Sequence, residues 1–286
     1  MRDNDRERQA ERGKDRNGAE LLQVAERAAR RAGEILLARL GRLERVEFKG
    51  VNDLVTDADR ESERAIAGVI GEAFPEDVFL GEESGETGGD ADNGAREDRA
   101  CYRWVVDPLD GTMNYAHGLH LFSVSIACEY HAEIVAGVIF NPVSGELFAA
   151  SLGGGAFLNG ETIHVSSTER LADSLLATGF PNVMREGAGD NMDHFQNFSR
   201  RAQGLRRLGS AALHLAFVAC GRVDGYWEIK LHPWDVAAGS LILTEAGGAI
   251  TDLRGGPFRM DSRRMVASNG RIHREMLAVL SLGRTD

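Results

Sequence analysis

Acidic side chains cluster along this chain where the residue pattern predicts a strand end, a turn or a helix start: Asp53 with Asp57 and Asp59, Glu82 with Glu83, Asp107 with Asp110, and Asp235. A fold that accepts this pattern either spreads like charges into water or gathers them around cations. The segment WVVDPLDGTMNY, Trp104–Tyr115, constrains the choice most. Tyr102–Val106 predicts a short buried strand that delivers Asp107 at its end. Pro108 has no N–H for a ladder and predicts that the strand stops there. Asp110 then returns to the side of Asp107, with the Leu109 carbonyl between them. Gly111 permits a tight turn, and Thr112 adds a hydroxyl. Such oxygen donors suit Mg²⁺, a hard cation that keeps water and substrate phosphate in its shell. Taken alone, the segment also reads as a turn with capping aspartates, and Asp57 as a residue that begins a helix.

A length of 286 residues allows one large unit, or two joined halves sharing a core. The net charge of −11 argues against a general nucleic-acid binder, which needs surplus Lys and Arg. An acidic protein acting on an anionic substrate needs positive charge at its site, from a local Arg/Lys cluster or from bound metal cations, and the acidic motifs favour metals. Cys101, Cys128 and Cys220 show no C-x-x-C spacing and read as reduced, buried thiols of a cytoplasmic protein. Met1–Gly18 is almost wholly polar, lacks the apolar core of a secretory signal, and reads as a disordered tail. No apolar run approaches the ~20 residues of a membrane span.

Helical spacing of apolar residues predicts a helix over Ala19–Leu40 and a second from about Asp59 to Ala73, joined by a strand and turn. Gly85–Asp98 is glycine-rich and acidic, and reads as a surface loop that also suits a flap over a metal site. Strands follow at SVSIACEY, EIVAGVIFN, ELFAAS and GAFLNGETIHV, with Gly153–Gly155 read as a hairpin turn rather than a nucleotide loop. After Leu171 strands and helices alternate: LLATGF, a helix near Asn191–Gln203, GLRRLG, a helix over Ser210–Cys220, DGYWEIK, a helix over Trp234–Ala246, AITDL, MVASN, and a last helix over Gly270–Leu282. The fold class is α/β, with an α+β front half (about 19–170) built on an antiparallel sheet and an α/β back half (about 171–286). Arg206 and Arg207 read as a solvated strand end, with substrate or a second subunit as the alternative. His117 and His120 lack the partners of a zinc site.

The motifs GEES (Gly81–Ser84), DPLDGTMNY (Asp107–Tyr115) and HPWDVAAGSLILTEAGG (His232–Gly248) resemble, in order and spacing, the signatures of the inositol monophosphatase family. NDLVTDAD, LLATGFP (Leu175–Pro181) and GSAALHLAFVACGRVDGYWE (Gly209–Glu228) extend the resemblance over about Ala19–Leu282. It implies a layered αβαβα sandwich of the sugar phosphatase type and Mg²⁺-dependent hydrolysis of a small polyol phosphate, inositol 1-phosphate first. Glu82, Asp107, the Leu109 carbonyl, Asp110 and Asp235 would hold two or three Mg²⁺ ions. Thr112 and Asp59 would orient and deprotonate the attacking water, with Glu82 near it. The amides of Gly111 and Thr112 would hold the phosphate. Asp110, Asp235, Ser210 and Ala211 would touch substrate, the last two through backbone groups, and Glu228 would recognise the polyol ring. Ser210 reads equally as a helix N-cap, and Lys49 falls near the metal site.

A homodimer and Li⁺ inhibition follow from the same resemblance. The chain departs from the family at Met113, where many relatives carry a second threonine. Fructose-1,6-bisphosphate, histidinol phosphate and 3′-phosphoadenosine 5′-phosphate are the alternative substrates. A non-catalytic, transcription-associated or RNA-binding role is the rival from another class, with nucleic acid disfavoured by the net charge and a membrane by hydropathy.

Overall fold

The structure, a computed structural model, describes residues 16–42, 46–50, 53–88, 102–180 and 191–282. Helix α1 (Gly18–Arg39) opens on Asn17, whose side chain accepts the Ala19 amide at 3.1 Å. Its apolar spacing buries Leu21, Val24, Ala25, Ala28, Ala29, Ala32 and Leu36 on one face. The fold begins earlier than the expected tail boundary. Arg16 pairs with buried Asp77 at 2.6 Å, and its guanidinium lies 4.4 Å from the ring centroids of both Phe74 and Tyr102. Arg16–Gly18 are therefore part of the packed structure, and the rest of the expected tail lies outside the described residues.

An antiparallel pair, β1 (Val46–Gly50) and β2 (Asp53–Thr56), leads into α2 (Asp57–Ala73). This helix starts at Asp57 rather than Asp59, because Thr56 is its N-cap. Asp59, one turn in, accepts the Thr56 amide at 2.8 Å and its hydroxyl at 2.5 Å in a capping box.

The next elements are β3 (Val78–Gly81), β4 (Gly85–Gly88), β5 (Tyr102–Asp110), α3 (Thr112–Ala116), β6 (Ser123–Tyr130), β7 (Glu133–Asn141), β8 (Glu146–Ser151), β9 (Gly155–Leu158) and β10 (Glu161–Thr162). The strands form an eight-stranded sheet in the order β10-β9-β8-β7-β6-β5-β3-β4, antiparallel except where β3 runs parallel to β5. Two expectations are corrected here. Gly85–Gly88 is a strand paired with β3 rather than loop, and residues 89–98 lie outside the described residues. Strand β5 does not stop at Val106. It continues through Pro108 to Asp110, and its register against β6 shifts between Asp107 and Asp110. The proline fits because it sits at this bulge, where the missing N–H breaks no ladder bond. The Gly153–Gly155 turn is pinned by Glu245, which accepts the amides of both of its end residues, at 2.7 and 2.8 Å.

The back half supplies β11 (Leu175–Thr178), α4 (Met192–Ser199), β12 (Gly204–Arg206), α5 (Ala211–Ala219), β13 (Gly225–Ile229), α6 (Pro233–Glu245), β14 (Ala249–Thr251), β15 (Arg264–Ser268) and α7 (His273–Leu280). Helices α4 and α7 are shorter than their apolar patterns predict. The second sheet has the order β12-β11-β13-β15-β14, parallel among β12, β11 and β13 and antiparallel beyond.

Helices α1 and α2 cover one face of the large sheet, α5 and α6 fill the space between the sheets, and α4 and α7 cover the far face of the small one. The result is an αβαβα sandwich. Helix α6 is buried from Val236 to Leu243 on every side, as a middle layer requires. It lies so close to β7 that a Cβ at Gly137 would stand 3.0 Å from the Ala238 backbone. Among the described residues, no helix is long and apolar enough to cross a membrane.

Candidate active site

The layers leave a cavity of about 820 Å³ where the ends of β5 and β13 meet the starts of α3, α5 and α6. Because β3 and β5 are parallel, they finish at the same edge. Gly81 pairs with Val106, and the Glu82 amide donates to the Val106 carbonyl at 3.1 Å. That pairing brings Glu82 beside Asp107. The β5 bulge then turns Asp110 into the same cavity, and α6 adds Asp235 from its first turn. Pro233 begins α6, and Asp235 accepts the His232 amide at 2.7 Å in a second capping box.

Each carboxylate is held differently. Asp107 accepts the Leu109 amide at 2.9 Å. Asp110 faces the N-terminus of α5 and takes the Ser210 hydroxyl, the Ala211 amide at 3.1 Å and the Ala212 amide at 2.8 Å. Burial pushes the Asp107, Asp110 and Asp235 carboxyls above their ordinary range. For Asp107 and Asp235, repulsion from neighbouring carboxylates, Glu82 among them, adds to it; for Asp110, the donors from α5 oppose it. Asp59 is pushed up to about 6 by burial, against its hydrogen bonds from Thr56. The Thr112 hydroxyl lies 3.2 Å from Asp59 Oδ1 and 3.0 Å from the Leu109 carbonyl, and its single proton serves one of them at a time. Gly111 takes φ 97° at the head of α3, where a Cβ would stand 3.1 Å from two carbonyl oxygens.

Glu228, near the end of β13, lines the other wall. The Tyr226 hydroxyl donates to its Oε2 at 2.5 Å, and burial pushes the carboxyl up to about 7. Ser210 is indeed an N-cap, accepting the Leu213 amide at 3.3 Å, and it serves Asp110 as well. Its carbonyl accepts the His214 amide, and the Ala211 amide goes to Asp110, so both of these backbone groups are engaged inside the protein.

Among the described residues, no three His, Cys, Asp or Glu side chains stand close enough to ligate one ion together. Glu82, Asp107, Asp110 and Asp235 line one cavity without forming a closed cage, as mutually repelling carboxylates do. Their donor set is nonetheless of one kind, hard carboxylate oxygens lining one cavity, with Asp107 and Asp110 buried, and such oxygens suit a divalent cation.

A family model for the inositol monophosphatase family matches residues 17–282. The chain belongs to that family. An inositol-1-monophosphatase of Mesorhizobium japonicum is 42% identical over 259 residues, covering 90% of this chain and 94% of that protein. A Pseudomonas aeruginosa protein named Nus factor SuhB is 40% identical over 266 residues, covering 91% and 95%. Among solved structures, the extragenic suppressor protein suhB of Bartonella henselae matches with a TM-score of 0.85 at 42% identity, covering 92% of this chain and 99% of that one. The inositol monophosphatase of Anabaena matches with a TM-score of 0.82 at 41% identity, covering 92% and 96%.

Two cavity residues of this family member, Asn114 and His214, escaped the sequence reading. Arg207, read as a solvated strand end with substrate or a second subunit as the alternative, lines the cavity and stacks over Phe180 at 5.2 Å. Asn114 donates to the carbonyls of Leu121 and Leu208, tying α3 to the loop before α5. His214 stands one helical turn after Ser210, and that four-residue spacing was the available signal. His117 and His120 are exposed. The side chains of Lys49 and Asp53, and all of Cys101, lie outside the described residues.

Proposed function

We propose that the chain hydrolyses the phosphate monoester of a small polyol, inositol 1-phosphate first, as a Mg²⁺-dependent phosphatase working as one unit over residues 16–286. The observation that carries this reading is the convergence of Glu82, Asp107, Asp110, Asp235 and Thr112 on one cavity, with Asp59 behind the Thr112 hydroxyl. Glu82, Asp107, the Leu109 carbonyl, Asp110 and Asp235 would hold Mg²⁺, two or three ions in this reading, which when bound would acidify a water and neutralise phosphate and leaving-group oxygens. When the Thr112 proton goes to Asp59, the Leu109 carbonyl keeps its lone pairs for the cation. Thr112 Oγ1 orients the attacking water, and Asp59 Oδ1 takes the proton passed through that hydroxyl. A carboxyl near 6 is suited to that work at neutral pH. The amides of Gly111 and Thr112 hold phosphate oxygens. Asp110 and Asp235, with Ser210 and Ala211, border the substrate, and Glu228 accepts from ring hydroxyls. A homodimer, Li⁺ inhibition and a cytoplasmic setting belong to the same reading.

Phosphate release from inositol 1-phosphate, fructose 1,6-bisphosphate, histidinol phosphate and 3′-phosphoadenosine 5′-phosphate tests it, with Mg²⁺ against EDTA. Inositol 1-phosphate is expected to lead, and Asp235→Asn to lose roughly 10²-fold or more in kcat/KM. Preference for another ester changes the substrate and keeps the chemistry. Near-normal turnover in Asp235→Asn overturns the ligand assignment.

The relative named Nus factor favours a second reading, a transcription-associated binding role beside catalysis. Removing residues 1–15 leaves Arg16 in place. Catalysis survives that deletion, and binding made through those residues does not.

A further inference from the structure

His214 lines the cavity, and its ring is buried against Tyr226 with centroids 4.8 Å apart. Nε2 accepts the Leu208 amide at 3.1 Å. A neutral imidazole whose Nε2 accepts carries its proton on Nδ1, so Nδ1 is a donor, and it has no hydrogen-bond partner. Buried His273, by contrast, engages Thr251 through Nε2 and Ser268 through Nδ1. An unpaired buried donor is costly enough to call for an explanation.

This one faces Glu228 Oε2 at 3.9 Å, the same oxygen that takes the Tyr226 hydroxyl. Gly179 leaves the carboxylate its space, since a Cβ there would lie 2.0 Å from Oε1 and 2.1 Å from Oε2. Two donors from neighbouring elements thus face one oxygen of the carboxylate.

We propose that Tyr226 and His214 form a donor platform on Glu228 Oε2 that turns Oε1 toward a substrate hydroxyl, making His214 a positioning and specificity residue for hydroxyl-rich phosphate esters. The inference rests on the reading of Glu228 as the polyol-contacting carboxylate. At 3.9 Å the His214 contact is electrostatic rather than a hydrogen bond. A hydroxyl bound at Oε1 draws the carboxylate across the remaining gap, and the Nδ1 proton gains its acceptor in the loaded site. Burial pushes the imidazole down to about 3, which keeps it a neutral donor at working pH. Arg207, Asp110 and Asp235 are charged groups that interact with Glu228 from other elements.

Two conservative variants separate the ring nitrogens. His214→Asn keeps a donor near the Nδ1 position, and His214→Gln keeps an acceptor near Nε2 for the Leu208 amide. With inositol 1-phosphate, His214→Gln is expected to raise KM roughly tenfold, the worth of one hydrogen bond to a charged group, at near-normal kcat. With 4-nitrophenyl phosphate, which has no polyol, it is expected to behave as wild type, and His214→Asn is expected to restore most of the inositol 1-phosphate KM. An unchanged KM in His214→Gln, or equal losses on both esters, overturns the proposal. A wild type that does not favour inositol 1-phosphate over 4-nitrophenyl phosphate overturns the polyol reading itself. Ring ¹⁵N shifts of His214 in the wild-type protein are independent of any variant's folding: the Nδ1–H form supports the proposal, and the Nε2–H form or an imidazolium near neutral pH overturns it.

Discussion

Asp110 and Glu228 are both carboxylates in one cavity, and their surroundings treat them differently. Asp110 receives the head of α5 and has amide and hydroxyl donors for its charge. Glu228 has the Tyr226 hydroxyl, and burial prevails over it, so its folded value rises to about 7 from 4.5. A raised folded value favours the protonated form in the native state. The stability it contributes is complete below about pH 4.5 and is lost as pH rises through about 7. In EDTA, Glu228→Gln is therefore expected to exceed wild type in stability by roughly 1–3 kcal/mol at pH 8 and to match it near pH 4. Urea unfolding at the two pH values checks this. The carboxylates themselves were legible in the sequence, because each lies within a few residues of its own local motif. Asn114 and His214 were not, because their partners at Leu208 and Glu228 come from other elements.

Helices and strands set the site by where they begin and end. The Thr56 cap fixes the start of α2 and holds Asp59, and the parallel pairing of β3 with β5 puts Glu82 next to Asp107. The α1 layer depends on a close approach to the large sheet: a Cβ at Gly33 would stand 2.5 Å from the Phe140 ring and 3.1 Å from Pro142. Gly33→Ala is expected to cost about 1–3 kcal/mol by overpacking, less whatever Ala adds in helix propensity. Urea unfolding measures the loss, and turnover per folded molecule is expected to stay unchanged because Gly33 is remote from the cavity lining. Apolar spacing exposed most elements to a sequence reading. It failed at β5, where a bulge admits Pro108, and at β4, where the glycine-rich Gly85–Gly88 is strand only because β3 lies beside it.

The whole molecule concentrates negative charge in one desolvated cavity at the junction of its layers, in a chain already at −11. Divalent ions bound there, as proposed, would stabilise the folded state by mass action. At pH 7.5, replacing EDTA with Mg²⁺ about a hundredfold above its dissociation constant is expected to raise Tm by roughly 5 °C. Asp235→Asn is expected to shrink that rise, and a scan showing no shift in wild type would remove divalent binding from the functional reading.

Residue order was enough for the family, the α/β class, most helices and strands, and the acidic motifs. All of these rest on short-range patterns: periodic burial, caps, turns, and carboxylates at motif spacing. Contacts between distant segments were needed for the rest. Sheet order and strand direction brought Glu82, Asp107, Asp110 and Asp235 to one cavity, the head of α5 engaged Asp110, and Gly179, Tyr226 and His214 enclosed Glu228. Burial raised the carboxyls of Asp107, Asp110, Asp235 and Glu228 and lowered the His214 imidazole, since desolvation depends on which layers close over a residue and not on its neighbours in the chain.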